Sequence, residues 1–428
     1  MSPSEREFTD DELLAARMHS LGLTGPGIPG AGIASTGVAS AGTVSTGVPE
    51  PGTAAGSAVD RVTAVVHHLF ALQGQDWRSS KWAVGVRAPG LAAADVAAAL
   101  DEGRIVRSWP MRGTVHLIAA EDIGWIQRLT NPKVLAGAPK RRAFLGMTDA
   151  DLARAEEVTA AALVGGNSLT RDELAVIWTE AGIDWKSNWR YHLIWWMCQT
   201  GLTTFGPVSA PGQAAGGKGD PEPRIVLASE WIARPRALEG DDALLELATR
   251  YVRGRGAVTQ KDLVAWALIP AADAKRALAL ALEAGTVARA RREGVRGTSG
   301  ELWIDPIHSE PIHSEPIHHE PRHGDPLEQR PVWHLLPAFD EHLLGYTLRE
   351  PQLSPEHLAR IIPGKNGMFQ ATIARDGRTV ATWCRNPKTN AVEIDPFPGE
   401  RVDEAAIEEK IAQWALFYGS DKNSTRAA

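Results

Sequence analysis

Hydrophobic positions recur at helical spacing over much of the chain and alternate with polar positions in a few short segments. From residue 62 to residue 72 the apolar side chains fall on one side of a helix. Two more helical segments and then two alternating segments follow, at 80–86, 91–100, 104–109 and 114–118. The alternating pair flanks a tight turn at Met111-Arg112-Gly113, which is typical of a β-hairpin. The pattern therefore predicts three helices followed by a hairpin.

The same order of elements recurs twice. The second set spans residues 147–238, with a helix cap and acidic first turn at Ser168 to Glu173. The third set spans residues 239–305. Three helices and a hairpin is the order of a winged-helix module. We therefore expect three tandem winged-helix modules in a concave arrangement, with the first module at residues 59–146.

Three other segments complete the predicted organisation. Residues 1–58 hold a short amphipathic pattern at 8–21 and then a Gly/Ala/Ser/Thr-rich stretch, so they are expected to be a flexible low-complexity extension. Residues 306–330 carry a proline every five positions and several histidines, which favours a His/Pro-rich surface linker over a metal site. Residues 331–428 are predicted to form a C-terminal α/β unit. The expected class is mainly α with β (α+β).

Composition limits the location and partners of the protein. The 428-residue chain has 43% hydrophobic and 23% charged residues, which is ordinary for a soluble protein of several domains. No run of 18 apolar residues and no secretory signal are found, and the two cysteines lie far apart. These features favour a cytoplasmic protein with reduced thiols. The net charge of −7 argues mildly against DNA binding, although the positions of the cations matter more than their sum.

One polar segment stands out directly after the first predicted helix. Gln73 and Gln75 flank Gly74, and on an extended chain both amides would share one face. Cations and indoles follow at Trp77, Arg78, Lys81 and Trp82. Such a mixture suits a ligand with phosphates and bases. The alternative is that the glutamines are solvated surface residues or helix caps.

Four segments together resemble the AlkZ/YcaQ family of bacterial winged-helix DNA glycosylases. They are the Gln73-Gly74-Gln75 segment and the stretches 109–117 (WPMRGTVHL), 336–346 (LPAFDEHLLGY) and 377–383 (GRTVATW). That family carries a catalytic Gln-apolar-Gln or Gln-apolar-Asp motif, and this chain resembles the Gln/Gln branch with glycine in the middle. The resemblance covers about residues 59 to 425 and implies that Gln73 and Gln75 are catalytic.

The resemblance implies a hydrolase that acts on alkylated purines, namely bulky N7-alkylguanine or N3-alkyladenine adducts and possible interstrand crosslinks. The biological role that it implies is self-resistance to a genotoxin. No lysine lies in the motif, so a monofunctional enzyme is expected. No cofactor and no metal are expected, and the expected partner of the monomer is duplex DNA. The alternative is a non-enzymatic winged-helix regulator or architectural protein, which would read the groove with a basic recognition helix.

Cations in hairpins and loops are predicted to contact phosphates. The candidates are Arg78, Lys81, Arg112, Lys140, Arg141, Arg142, Arg291 and Arg292. Trp77 and His116 are possible substrate contacts, although a core role is favoured for His116. Asp340 is expected to fix a turn through backbone hydrogen bonds.

Overall fold

The computed structural model describes residues 6–31, 56–209, 221–310, 331–364, 367–386, 389 and 391–419. Within these ranges the chain is α+β, with a three-stranded, a four-stranded and a five-stranded sheet. The predicted fold class is confirmed. No helix in the described part of the chain is both long and apolar enough to cross a bilayer.

The N-terminal residues are packed into the protein. Strand β1 (Arg6–Phe8) is followed by helix α1 (Asp10–Ser20), which begins with a Thr9/Glu12 capping box. Strand β1 pairs in parallel with a strand of the third repeat. Phe8, Leu13 and Arg17 are fully buried. The prediction of a flexible extension over residues 1–58 is therefore wrong for residues 6–31, because their apolar side chains complete a core. Residues 32–55 lie outside the described residues.

The first repeat confirms the predicted order of three helices and a hairpin. A Ser57/Asp60 capping box starts the first helix, which ends at Leu69 and not near Leu72. The chain then turns at Phe70, where φ is +65°. The elements are α2 (Ala58–Leu69), β2 (Ala71–Gln73), α3 (Trp77–Gly85), α4 (Ala93–Asp101), β3 (Ile105–Met111) and β4 (Thr114–Ala119). Strand β2 is the extra element and pairs antiparallel with β4.

Three connecting helices lead into the second repeat, in which Thr148/Asp151 and Thr170/Glu173 capping boxes set two helix starts. The connecting helices are α5 (Ile123–Thr130), α6 (Pro132–Leu135) and α7 (Ala138–Leu145). The repeat comprises α8 (Asp149–Leu163), α9 (Arg171–Glu180), α10 (Ser187–Gln199), β5 (Thr203–Phe205) and β6 (Ile225–Leu227), followed by α11 (Ala228–Trp231). The five-stranded sheet has the order β2-β4-β3-β5-β6, so the first two repeats share one sheet.

The third repeat has the same order of elements and carries the N-terminal strand on its hairpin. It comprises α12 (Gly240–Arg255), α13 (Gln260–Ala267), α14 (Ala271–Glu283), β7 (Ala288–Arg292) and β8 (Glu301–Ile304). The predicted linker begins directly afterwards. Its first histidine, His308, is 1% exposed and lies 2.8 Å from the Ser20 hydroxyl, so it belongs to the packed protein, whereas Pro306 and Ile307 are exposed. Residues 311–330 lie outside the described residues.

The C-terminal unit is an antiparallel sheet closed by a helix. It comprises β9 (Trp333–Leu336), α15 (Glu341–Leu344), α16 (Leu358–Ile361), β10 (Ala371–Arg375), β11 (Arg378–Arg385), β12 (Val392–Pro396) and α17 (Glu404–Phe417). Its sheet order is β12-β11-β10-β9. Asp340 caps α15 by accepting a hydrogen bond from the His342 amide at 2.8 Å, as predicted. It also forms a two-bond ion pair with buried Arg87 of the first repeat.

One hydrophobic core joins the first repeat, the third repeat and the C-terminal sheet, whereas the second repeat has a core of its own. Trp82 shows this union, because its indole N–H donates to the Leu335 carbonyl at 2.7 Å. Tyr251 likewise donates to the Gly345 carbonyl at 2.7 Å. The C-terminal unit is thus bound to elements far away in sequence. The domain boundaries and the concave arrangement stay predictions.

Candidate active site

Gln73 lies at the end of β2, directly opposite His116 of β4. Gln73 is only 8% exposed. The next residue continues the contact, because the Gly74 N–H donates to the Val115 carbonyl at 2.7 Å. A Cβ atom at Gly74 would lie 3.2 Å from the His116 backbone, which is closer than ordinary contact. Glycine therefore fits the middle of the motif because β4 approaches it closely.

The tip of the β3–β4 hairpin brings a guanidinium to Gln73. Arg112 and Gly113 both have positive φ, +56° and +67°, as a two-residue type I′ turn requires. Arg112 Nη2 donates to Gln73 Oε1 at 3.0 Å and lies 2.9 Å from His116 Nε2. Its Nη1 donates to the Trp266 carbonyl of the third repeat. Arg112 was predicted to contact phosphate; instead its guanidinium is bound inside the site.

These contacts determine the orientation of the Gln73 amide and which nitrogen of His116 carries the proton. A guanidinium only donates, so the atom of the Gln73 amide facing Arg112 is its oxygen, and His116 Nε2 is an acceptor. The proton of the neutral imidazole is then on Nδ1, which donates to the Thr114 carbonyl at 2.9 Å. Burial, and then the charge of Arg112, holds the pKa of His116 well below its ordinary value. His116 is therefore a neutral residue that supports the hairpin, in line with the favoured core role.

Three residues that support Arg112, namely Arg255, Trp266 and Glu341, were not predicted from the sequence. Glu341 accepts hydrogen bonds from Arg255 Nη2 at 2.5 Å and from Trp266 Nε1 at 2.9 Å. All three come from the third repeat or the C-terminal unit, and Arg255 and Glu341 have fully buried side chains. The only sequence signal was the place of Glu341 beside Asp340 in a motif. The cluster holds the Trp266 segment, whose carbonyl in turn holds Arg112.

Gln75 differs from Gln73 in being exposed, so the two amides have unlike surroundings. The backbone between them is bound by buried Arg107, whose Nε donates to the Gly74 carbonyl at 3.0 Å. Asp76 accepts from the Ser79 N–H at 2.6 Å and caps α3. Trp77 is 7% exposed and donates to the Pro221 carbonyl at 3.1 Å. The catalytic role of Gln73 and Gln75 and the substrate contact of Trp77 stay predictions.

Several predicted DNA-binding cations are enclosed by the protein. Lys81 is 4% exposed, with its ammonium 4.8 Å from the centre of the Trp77 ring. The Arg78 guanidinium lies 3.7 Å from the centre of the Tyr418 ring, at the end of α17. Arg142 is 8% exposed and pairs with Asp149 at 3.0 Å. Aromatic rings and a carboxylate contact these cations within the protein, and their predicted role in DNA binding stays a prediction.

The third-repeat cations are also engaged, whereas helix α7 presents two exposed ones. Arg292 forms two bonds with Asp10, at 2.7 and 2.9 Å. Arg291 Nη2 donates to the Gly297 carbonyl at 2.9 Å. Lys140 and Arg141 are exposed on α7. Of the eight predicted cations, these two have the open position that a phosphate contact needs.

One group of side chains offers donors at metal-ligand spacing. The donor atoms of His67, Glu121 and Asp122 lie within 4.8 Å of one another. Asp122 already accepts hydrogen bonds from Arg250 and Arg236. Two guanidiniums on one carboxylate neutralise the charge that a cation would need, so the group is better explained as a buried ion-pair cluster.

Comparison with known proteins identifies the family to which the chain belongs. The family profile described as DNA glycosylase AlkZ-like matches residues 66–417. The chain belongs to this family of DNA glycosylases, which are hydrolases of N-glycosyl bonds. The fold is similar to that of Streptomyces sahachiroi DNA glycosylase AlkZ, with a TM-score of 0.67 and 20% identity over 99% of this chain and 100% of that one. No curated protein matched the sequence.

The family match confirms the resemblance seen in the four motifs and the prediction of an enzyme. The alternative of a non-enzymatic regulator is set aside for that reason. DNA is accordingly the substrate polymer.

Proposed function

We propose that this DNA glycosylase hydrolyses the N-glycosyl bond of purines alkylated at N7 or N3, with Gln73 and Gln75 holding the attacking water. The observation that carries the proposal is the engagement of the ionisable groups around Gln73. Arg112 is bound to Gln73 and Trp266, His116 is neutral, Asp76 caps a helix and Glu341 is paired with Arg255. A site of this kind supplies amide dipoles and no strong base.

Such a site suits a leaving group that is already activated. A purine alkylated at N7 or N3 carries a positive charge, and the electron pair of the breaking C–N bond neutralises it. The water oxygen forms the new bond to the anomeric carbon, and its proton passes to solvent. An amide oxygen accepts a hydrogen bond from that water and faces the positive charge that develops on the sugar. An amide is too weak a base to take the proton, so undamaged purines should remain uncut.

Arg112 leaves room for this role. An amide oxygen has two lone pairs, and Arg112 uses one of them at 3.0 Å. The Thr114 hydroxyl approaches the same oxygen at 3.5 Å, the outer limit of a hydrogen bond, so a water can replace it on the second lone pair. Since the Arg112 guanidinium fixes which atom of the amide faces the hairpin, it acts as a positioning residue for Gln73.

The scaffold supports DNA binding of a general kind. We interpret the three helix-and-hairpin repeats as winged-helix modules, with exposed cations such as Lys140 and Arg141 contacting phosphates. Bulky N7-alkylguanine or N3-alkyladenine adducts, including interstrand crosslinks, are the proposed substrates, and self-resistance to a genotoxic natural product is the proposed use. The motif resemblance supports these finer assignments. A cytoplasmic, monomeric, monofunctional enzyme completes the proposal.

The test is to incubate N7-alkylated DNA with the wild type and with a Gln73→Ala/Gln75→Ala double variant, and to count abasic sites after alkali treatment. The wild type should produce them on small or bulky adducts, and the double variant should be strongly impaired. A wild type that cuts neither class of adduct would refute the substrate assignment. A fully active double variant would leave the enzyme in place and refute the site.

A further inference from the structure

An open cleft lies beside the candidate active site, between the α6–α7 segment and helix α10. Its volume is about 510 Å³, within the range of small-ligand sites. Its lining includes Val134, Arg141, Asn188, Tyr191, His192 and Trp195. The mechanism proposed above uses none of these six side chains.

The hairpin that holds Gln73 also touches this cleft. A Cβ atom at Gly113 would lie 3.2 Å from Val134 Cγ1 and 3.9 Å from Trp195 Nε1. Gly113 directly follows Arg112, whose guanidinium bonds Gln73. The two-residue turn therefore contacts the Gln73 amide through the Arg112 side chain and lies against the cleft wall at Gly113.

The lining has the chemistry of a nucleobase site. The His192 and Trp195 rings are stacked, with centroids 5.3 Å apart and planes 27° from parallel. Tyr191 is 56% exposed, and its ring meets that of Trp109 at 77° with centroids 6.4 Å apart. More than half of this side chain is thus open to a base that could stack on it. Asn188 offers an amide for a base edge, and exposed Arg141 offers a cation for a phosphate.

A buried polar atom adds an independent observation. His192 is 5% exposed, and its Nε2 has no hydrogen-bond partner among the described residues. Burial, and then the charges of Arg142 and Arg141, lower the pKa of His192 to about 4, so the ring is neutral near pH 7. A buried ring nitrogen without a partner is costly. His192 lines the cleft, so a base edge that reaches this nitrogen would satisfy it.

We propose that this cleft binds the orphan base, which is the undamaged nucleobase left unpaired when the alkylated nucleotide leaves the duplex. The inference rests on the proposed function and concerns adducts on one strand, because a crosslinked base has no undamaged partner. The sugar under attack must lie at Gln73, and a different nucleotide must then occupy the cleft. Extrusion of one nucleotide leaves its partner with unsatisfied edges and an open face. Aromatic rings and an unpartnered nitrogen match both needs.

The test compares two duplexes of identical length. In the first, a tetrahydrofuran abasic analogue lies opposite cytosine; in the second, the analogue occupies both positions of that pair. Neither probe has a glycosyl bond at the analogue, so the binding result is independent of catalysis. The wild type should bind the first duplex about 5- to 100-fold more tightly, the range for one base–aromatic stack.

Tyr191→Leu should bring this affinity ratio close to one, whereas Tyr191→Phe, which keeps the ring, should preserve it. Tyr191 is exposed, and thermal unfolding of both variants checks that the fold is intact. A wild-type ratio of one would overturn the proposal, as would a Tyr191→Leu variant that keeps the full preference. Excision of N7-methylguanine by the same preparations tests the proposed function separately.

Discussion

Two groups of cations in this protein have similar sequence surroundings but opposite environments. Arg112, at the hairpin tip of the first repeat, is bound to Gln73, His116 and the Trp266 carbonyl. Lys140 and Arg141, on helix α7, face solvent. In both cases a basic residue stands in a short polar segment near glycine. One guanidinium orders the Gln73 amide, and the α7 pair is open to solvent.

The difference shows that the burial of a cationic side chain depends on which elements pack against its segment. The third repeat covers the hairpin tip and supplies a carbonyl to Arg112. Desolvation, opposed by the charge of Glu341, lowers the pKa of Arg112. On α7 the buried residues Ala138, Arg142 and Leu145 lie at helical spacing on one face, which leaves Lys140 and Arg141 exposed. The first group should therefore govern catalysis, and the second should govern DNA affinity.

The largest effect is expected at the amide that Arg112 holds. Gln73→Ala should slow single-turnover release of N7-methylguanine by about ten- to a thousandfold, the range for losing one positioned dipole or water-holding group. Affinity for unmodified duplex should stay unchanged, because exposed cations provide it. Quenched-flow or manual time courses at saturating enzyme measure the rate. Gln75→Ala, the matched variant in an exposed position, should slow release within the same range, because both amides are proposed to hold the water. Equal rates for Gln73→Ala and wild type would break the comparison.

Burial should also control the response of stability to pH. His334 and His342 have pKa values lowered to about 4 mainly by burial, below the ordinary 6.5 of the unfolded chain. The unfolded state then binds more protons below pH 6.5, so stability is full above that value and falls as the pH drops toward 4. From pH 7 to 5.5 the two histidines should together remove about 2 kcal/mol from the free energy of unfolding. His67, His192 and His308 also have pKa values lowered to about 4, so urea titrations of the wild type at both pH values measure a larger sum.

His342→Gln keeps a donor for the Gly377 carbonyl, which His342 contacts at 2.8 Å, and it cannot titrate. This variant should lose about half of the two histidines' contribution to the fall in stability. An unchanged fall would show that other groups cause the pH dependence and that burial of this ring contributes little.

The smallest effect is expected at the half-exposed ion pair of the third repeat. Arg292→Gln removes the two bonds to Asp10, whose side chain is 46% exposed. Exposed pairs are worth about 0–1 kcal/mol, so the free energy of unfolding should change within that range. The salt dependence of duplex binding should not change, because Arg292 is engaged with Asp10. A lower salt slope in this variant would move Arg292 into the DNA-binding group.

Local signals in the sequence predicted much of the fold. The cap between Ser168 and Glu173 marks the start of α9, and the turn at Arg112-Gly113 separates β3 from β4. The packing of residues 6–31 was missed because a three-residue strand and one helix have little pattern of their own. Their stability comes from partners hundreds of residues away, such as the pairing of Phe8 with Arg292.

The candidate site was predictable only in part, for a related reason. Gln73-Gly74-Gln75 and His116 are in short motifs, and the alternation of the chain indicates an extended segment. The link from Arg112 to Trp266, and from Trp266 to Glu341, joins three distant segments. Nothing in local spacing encodes such contacts. The burial of Lys81 under aromatic rings was missed for the same reason, because Tyr418 is far away in sequence.

The most direct test of the account measures two quantities for Arg112→Gln and Arg141→Gln. These are the single-turnover rate of N7-methylguanine release and the slope of log affinity against log salt for unmodified duplex. Arg112→Gln should slow release by about ten- to a hundredfold through misplacement of Gln73, with an unchanged slope. Arg141→Gln should keep the release rate and lower the magnitude of the slope by about 0.9, the value for one phosphate contact. The same change in both quantities for both variants would contradict the division of the cations into a catalytic group and a DNA-binding group.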